Sequence, residues 1–405
     1  MPFSLSRDQL LDIAGCMARD IRLGLGTDNA EILAIPTYVP LEPPPEPGRV
    51  LAVDVGGTNT RAAVVSLDDQ NRLRVDQEPV SREIPVSRGT PTELTTFLEA
   101  LADVILALHP PRGLPVGYCF SYPTRPTPDG DAEILDWTKE LLVRDTIGQK
   151  AGMLLRNHLN QADPGLLGEE LRVINDTVAA LLAGRAETPA KAHIGLIAGT
   201  GTNMALLLPP DQVPKLADTL SWLAPLPINL ESGNFHPPHL TGLDTSLDAA
   251  THNPTCQRFE KAVSGYYLPY LFLQACPDSD IDPGEGAAAL FELAFGDNNK
   301  PSDTEANLAR QIVERSARLI AAALTGAVIV VGEATGAASV CVTAEGGLFQ
   351  AHPRYRKIVA STLRELLTQS GRDKMAVQIQ TVADANLKGC AIAGLARSEG
   401  EVAPE

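Results

Sequence analysis

Aromatic residues are scarce, only 4% of the 405 positions. A core with so few rings must be built from aliphatic side chains, and a hydrophobic content of 44% supplies them. Positive charge is also in short supply: 33 Lys and Arg stand against 50 Asp and Glu, a formal net charge of -17. Such a chain lacks the basic face with which proteins bind nucleic acids and anionic membranes. A phosphate ligand is not excluded, because a nest of backbone N–H groups holds one on an acidic protein. The six cysteines (Cys16, Cys119, Cys256, Cys276, Cys341 and Cys390) form no C-x-x-C pair and no histidine cluster accompanies them. Free thiols in a reducing compartment are expected, with neither disulfides nor a metal site. The longest apolar run, Leu319 to Val331, is broken by Thr325 and Gly326 and falls short of the ~20 residues that span a bilayer. The first residues carry no signal-peptide pattern; they read as an amphipathic helix with Asp8, Asp12, Arg19 and Asp20 interspersed. These absences predict a soluble cytoplasmic protein, long enough for more than one domain.

What is present is a repeated pattern. Residues 7 to 34 have helical spacing, and prolines between 36 and 48 make a stiff linker. The stretch LAVDVGGTNTRAAVV (51–65) is two apolar runs around a Gly-Gly turn, a β-hairpin. The spacing predicts a helix over 92–109, then strands at 116–120 and 171–174, with a helix opening at Thr177. IGLIAGTGTNMALLL (194–208) repeats the opening pattern, so two α/β halves of pseudo-duplicated design are expected. Long helices are predicted over 258–275 and 306–327. Strands at 339–343 and 376–381 bracket a helix at 357–369. The class is α/β with a cleft between two domains.

The first hairpin is not a P-loop, since no Gly-Lys-Ser/Thr follows its glycines, and not a dinucleotide fingerprint, since a strand follows the turn. An ordinary tight turn explains the glycines. It does not explain Asp54 before them or Thr58, Asn59, Thr60 and Arg61 after them. Those residue types suit a phosphate: Gly56 and Gly57 let it approach the backbone, Thr58 and Asn59 donate hydrogen bonds, Arg61 offsets charge, and Asp54 can hold a hydrated Mg²⁺. The second turn, through Thr200, Gly201 and Asn203, would complete a clamp on a polyphosphate. Asn175-Asp176 ends a strand and opens a helix. Asp176 is either a helix cap or, between two phosphate turns, a catalytic base. Ser121, Trp137, Glu231 and Glu260 read equally well as loop, packing, exposed-loop and solvated helix-face residues.

Taken together the motifs resemble those of the hexokinase family. PTYV, VDVGGTNTR, FSYP, WTKE, INDTVA, GTGTN, INLESGNF, NPTCQRFEKAVSGYYL and AEGGLFQAHP occur in the family's order between about residues 35 and 394. The resemblance implies a two-domain actin-like ATPase (ribonuclease H-like) α/β fold with a single catalytic unit: mixed sheets flanked by helices around an inter-domain cleft. It implies an N-terminal helix and linker (1–44) on the large domain, a small domain over 45–175 completed by a C-terminal helix at 385–398, and a large domain over 176–384. By position it implies Asp176 as catalytic base, aided by Lys139 and Arg61. It implies Ser121, Thr138, Lys139, Asn175, Asp176, Asn203, Glu231 and Glu260 around the hexose. Asp54, Gly56, Gly57, Thr58, Asn59 and Arg61 would form the first phosphate motif, with Thr200, Gly201 and Gly265 in the second. ATP and Mg²⁺ are the implied cofactors, with Asp54 reaching the metal through water.

The nucleotide side departs from the family pattern. Val-Asp-Gly-Thr becomes Ala344-Glu345-Gly346-Gly347, and Asp-Gly-Ser-Gly-Lys-Gly becomes Asp384-Ala385-Asn386-Leu387-Lys388-Gly389. The base pocket is expected at Gly347 and residues 384–389. Three readings follow: an ATP-dependent hexose 6-kinase, a hexose sensor without turnover, or a sugar kinase with another phosphoryl donor.

Overall fold

The computed structural model describes residues 3–56, 59–84, 90–137, 141–216, 224–296 and 304–397. Helix α1 (Arg7–Gly26) opens on a capping box in which Ser6 and Gln9 satisfy each other's backbone N–H groups. It stops eight residues before the expected end, where Thr27 turns to extended backbone ahead of the turn-forming Asp28-Asn29. Strand β1 (Ile35–Pro36) follows, then the hairpin β2 (Gly48–Val55) and β3 (Asn59–Leu67). Next come β4 (Leu73–Val75), β5 (Val80–Glu83), α2 (Leu94–Ala107) and β6 (Leu114–Phe120). The ribbon β7 (Thr124–Pro126) and β8 (Ala132–Ile134), α3 (Ala151–Ala162) and β9 (Leu167–Ile174) complete this half. The other half runs α4 (Asp176–Glu187), hairpin β10 (Ala192–Ala198) and β11 (Thr202–Leu208), β12 (Leu226–Asn229), α5 (Gly242–Ala249), α6 (Arg258–Val263) and α7 (Leu268–Ala275). It continues through α8 (Ala287–Phe295), α9 (Thr304–Thr335), β13 (Ser339–Glu345), α10 (Gly347–Ala351), α11 (Pro353–Gln369), β14 (Ala376–Gln380) and α12 (Ala385–Leu395).

The duplication expected from the two hairpins is visible in strand order. One sheet runs β4-β3-β2-β6-β9, with β5 also on β3; the other runs β1-β12-β11-β10-β13-β14. In each, an antiparallel hairpin is followed outward by two parallel strands, β6 and β9 on β2, β13 and β14 on β10. Strand β1 is an extra edge, so the N-terminal segment joins the second sheet.

Helices α4 and α12 fill the space between the sheets. They share one apolar cluster with Val50 and Val65 of the first sheet and Ala205 and Leu207 of the second. Helix α12 lies very close: a Cβ on Gly389 would collide with the backbone of Ala179. Leu387 and Cys390 are wholly buried there. Helix α9 is 32 residues long, and it contacts α1, α8 and α11. It is long and apolar enough to cross a membrane, which the shorter expected span was not. Yet 83% of its most apolar window is buried inside the protein, the behaviour of a core helix. Its Gly326 interruption is where α1 crosses, since a Cβ there would come within 2.7 Å of Ala14 O.

The predicted helix over 258–275 is two helices, α6 and α7, broken at Ser264–Tyr267. The break is tertiary in origin. Gly265 N–H donates to Gly199 O at 2.8 Å and Tyr266 N–H to Thr200 O at 3.3 Å, so this backbone serves the second Gly-Thr turn instead of a continuous helix.

Candidate active site

Strand register explains the polar residues flanking the first turn. Asp54 and Arg61 are directly opposed across β2 and β3, so both side chains leave the same face of the sheet. Arg61 Nη2 donates to Asp54 Oδ2 at 3.1 Å, and its Nη1 donates to Asp384 Oδ1 at 3.2 Å. Asp54 is 5% exposed. Burial works against the Arg61 charge, but Asp54, with Asp384 and Glu345, holds the guanidinium above its ordinary range. Glu345, at the end of β13, is pushed up by burial and by the charges of Asp54 and Asp384, against Gly346 N–H and Arg61. The turn closes with Gly56 N–H donating to Asn59 O at 3.0 Å. Gly57 and Thr58 lie outside the described residues, as do Thr138 and Lys139.

The hairpin is tied to the loop after β6. Ser121 N–H donates to Val55 O at 3.0 Å and Tyr122 Oη to Gly56 O at 2.9 Å. Trp137 is buried in a ring cluster with Phe97, Phe120 and Tyr122, so its role here is packing. A cleft opens beside Ser121 and Tyr122. It brings together Ser121, Asn175, Asp176, Gly201, Asn203, Glu231 and Glu260, seven of the residues expected from the sequence.

These side chains form a polar net. Asn203 is its hub: Nδ2 donates to Asn229 Oδ1 at 2.8 Å and to Asn175 Oδ1 at 3.5 Å. Its Oδ1 accepts from the Met204 and Ser232 N–H groups at 2.7 and 2.9 Å. Asn229 Nδ2 donates to Glu231 Oε1 at 2.7 Å, and Thr202 N–H to Glu260 Oε2 at 2.9 Å. Asn175 caps α4, accepting from Thr177 N–H at 3.0 Å, which sets Asp176 as the first residue of the helix. Each amide and carboxylate is fixed by a neighbour whose rotamer is also fixed. Glu231 (φ 52°, ψ 47°) and Gln257 (φ 52°, ψ 36°) both adopt left-handed backbone at the cleft. Strain of this kind, roughly 1–3 kcal/mol each, concentrates at functional sites.

Two site residues were missed in the sequence. Asn229 stands two residues before Glu231 in INLESGNF, and Gln257 opens QRFEK. The motifs contained both, and only the carboxylates drew a chemical argument. One placement differs from expectation. In residues 384–389, Ala385 and Leu387 are 0% exposed. Leu387 belongs to the core between the sheets and Ala385 packs with Ala183 and Val382, so neither side chain faces a base pocket. Asp384 and Asn386 meet Arg61 and Asp54 at the first hairpin. Gly346 (φ 110°) passes under the second turn, where a Cβ would come within 2.5 Å of Ala198 O, and Gly347 follows it. The Gly265 N–H is already donated to Gly199, so that residue acts by close packing beneath the turn.

Family models described as hexokinase match residues 1–186 and residues 193–278 with 287–396. The chain belongs to the hexokinase family. Hexokinase-7 of Oryza sativa subsp. japonica is 29% identical, covering 96% of this chain and 93% of that one. Hexokinase-3 of Homo sapiens is 27% identical over 90% of this chain, which spans only 43% of that longer relative. Among solved structures, the hexokinase from Schistosoma mansoni complexed with glucose superposes with a TM-score of 0.79 at 24% identity, covering 97% of this chain and 96% of that one. A ROK family glucokinase from Streptomyces griseus in complex with glucose and AMPPNP gives 0.51 at 19% identity, covering 85% and 98%. The fold is therefore the actin-like ATPase fold of these kinases, and the hexokinase family places the chain among hexose phosphotransferases.

Proposed function

We propose that this member of the hexokinase family transfers the terminal phosphoryl group of Mg-ATP to the 6-hydroxyl of a hexose, glucose first among candidates. The observation that carries the reading is the net of Asn175, Asn203, Asn229 and Glu231, joined in one cleft by Asp176 and Glu260. A hexose is a ring of hydroxyls, each both donor and acceptor, and fixed amides and carboxylates match that pattern. Similar folds solved with glucose, and with glucose and AMPPNP, support the same ligand classes.

In this mechanism Glu231 and Glu260 accept hydrogen bonds from sugar hydroxyls and fix the ring, while Asp176 takes the proton of the attacking hydroxyl. Thr138 and Lys139 are assigned to the same sugar. The Gly-Thr turns donate backbone N–H groups to phosphate oxygens. The donor set suits a hydrated cation: the buried Asp54 carboxylate is held in place by two hydrogen-bond donors, and the buried Asn386 Oδ1 has no partner among the described residues. Asp54 would hold Mg²⁺ through water, and the ion would supply charge neutralisation on the phosphates. A coupled assay of hexose 6-phosphate with ATP, GTP, ADP and polyphosphate tests the proposal. Glucose binding with no turnover on any donor would replace it with the sensor reading.

Two outcomes follow. Glu231→Gln and Glu260→Gln each raise the KM for hexose by roughly tenfold to a hundredfold, the worth of a hydrogen bond to a charged group, with a smaller change in the KM for ATP. A larger effect on the ATP KM would move these residues out of the sugar site. Discrimination between ATP and GTP is also modest, within about tenfold to a hundredfold in kcat/KM, because Gly347 offers no hydroxyl to the nucleoside. A Cβ at Gly347 would meet nothing within 4 Å, so Gly347→Thr fits and lowers the KM for ATP. An ATP preference well beyond a thousandfold in the unsubstituted protein would show that other residues read the base.

A further inference from the structure

We infer that Asn386 is a positioning residue for the metal-nucleotide ligand: it sets the plane of the Asp54 carboxylate from the first turn of α12. The inference rests on the phosphoryl-transfer reading and adds a residue whose counterpart in the family pattern is a serine. Of the three departures at 385–387, the Ala385 and Leu387 side chains are wholly buried, so only Asn386 reaches Asp54. Its Nδ2 donates to both oxygens of Asp54, at 3.2 and 3.4 Å. Arg61 holds Oδ2 from the neighbouring strand. A carboxylate held by one donor can rotate about its terminal bond. One held across both oxygens by an amide, and by a guanidinium from another direction, cannot.

The amide suits this task better than a hydroxyl. A serine donates once, whereas an asparagine presents two N–H groups and an acceptor. Here the N–H groups serve Asp54, and the buried Oδ1, which has no partner among the described residues, is the acceptor left for a donor on the ligand or its water shell. Asp384, the residue before α12, takes left-handed backbone and accepts from the other arm of Arg61. Asn386 and Asp384 thus brace Asp54 and Arg61 from the segment that crosses from β14 to α12. The charged groups around this brace are Asp54 on β2, Arg61 on β3, Asp384 before α12 and Glu345 at the end of β13.

Asn386→Ala and Asn386→Asp test the role. Mg-ADP and glucose binding are measured separately by titration calorimetry, with thermal unfolding as a control on folding. Asn386→Ala should raise the Kd of Mg-ADP about tenfold with the glucose Kd within about twofold, since one hydrogen bond to a charged group is lost. Asn386→Asp keeps the shape but sets a second carboxylate against Asp54. Its loss should exceed that of Asn386→Ala, because a like charge replaces the two amide donors. Unchanged Mg-ADP binding in both variants, or parallel loss of glucose binding, would overturn the inference. If the unsubstituted protein neither binds Mg-ADP nor phosphorylates a hexose, the functional reading falls first and takes this inference with it.

Discussion

Asp176→Ala should lower hexose turnover by about 10²–10⁴, the usual contribution of a general base, while hexose affinity stays within about tenfold. The structure makes this a clean experiment. Thr177 N–H donates both to Asp176 Oδ1 and to Asn175 Oδ1, so deleting the Asp176 carboxylate leaves that donor satisfied and the cap of α4 in place. The hydrogen bonds that join Asn203 to Asn229 and Asn229 to Glu231 are made by those side chains themselves and need no Asp176 oxygen. The expected signature is therefore a fall in kcat with little change in folding stability or in glucose binding measured without turnover. Asp176→Asn, which keeps the volume and removes the basic oxygen, should fall in the same range. Near-normal turnover in either variant would remove Asp176 from the role of base, and an equal loss of hexose affinity would make it a binding residue.

Much of this site was legible in the sequence because its parts are punctuated. Gly-Gly and Gly-Thr turns between apolar runs mark both hairpins, and the Asn-Asp pair marks a strand end becoming a helix. What such punctuation omits is partnership across the fold. Asp54 and Arg61 looked like half of a phosphate clamp, and the register adds that they are opposed across two strands. Periodicity carried a helix straight through Ser264–Tyr267, because nothing local shows that Gly199 O needs the Gly265 N–H. The 384–389 segment was matched as a motif and so assigned as one piece. In the fold its successive residues alternate between partly exposed and buried, and only burial separates them.

Glu260 and Lys261 show the same limit. Adjacent charges at the start of a helix read as a solvated face. Instead Glu260 is 7% exposed and lines the cleft, and Lys261 is 2% exposed and paired with Asp248. One turn thus carries two buried charges with different tasks, a division that only the surrounding elements dictate.

Lys261→Met is accordingly expected to destabilise the protein by about 3–5 kcal/mol, the cost of leaving a buried charge without its partner. Lys261 Nζ donates to Asp248 Oδ1 at 2.6 Å and to Asn253 O at 2.8 Å. Asp248, itself 8% exposed, also accepts from the Thr255 N–H with both oxygens, at 3.1 and 2.9 Å. This pair therefore organises residues 253–257, the loop that delivers Gln257 to the cleft in left-handed backbone and starts the helix carrying Glu260. Without the ammonium, Asp248 must stay charged in a dry site, take up a proton, or pull the loop open. The last two outcomes also disturb the sugar site, so the KM for hexose should rise more than the KM for ATP. Removing both charges separates pairing from packing. The double variant Lys261→Met/Asp248→Leu should be more stable than Lys261→Met alone, because no orphaned charge remains. It should not regain hexose affinity, because the Thr255 N–H now loses its Asp248 acceptor. Denaturant unfolding of the three proteins, with hexose kinetics on each, decides the matter. A double variant no more stable than the single one would mean that Lys261 contributes packing by its stem and not charge to Asp248.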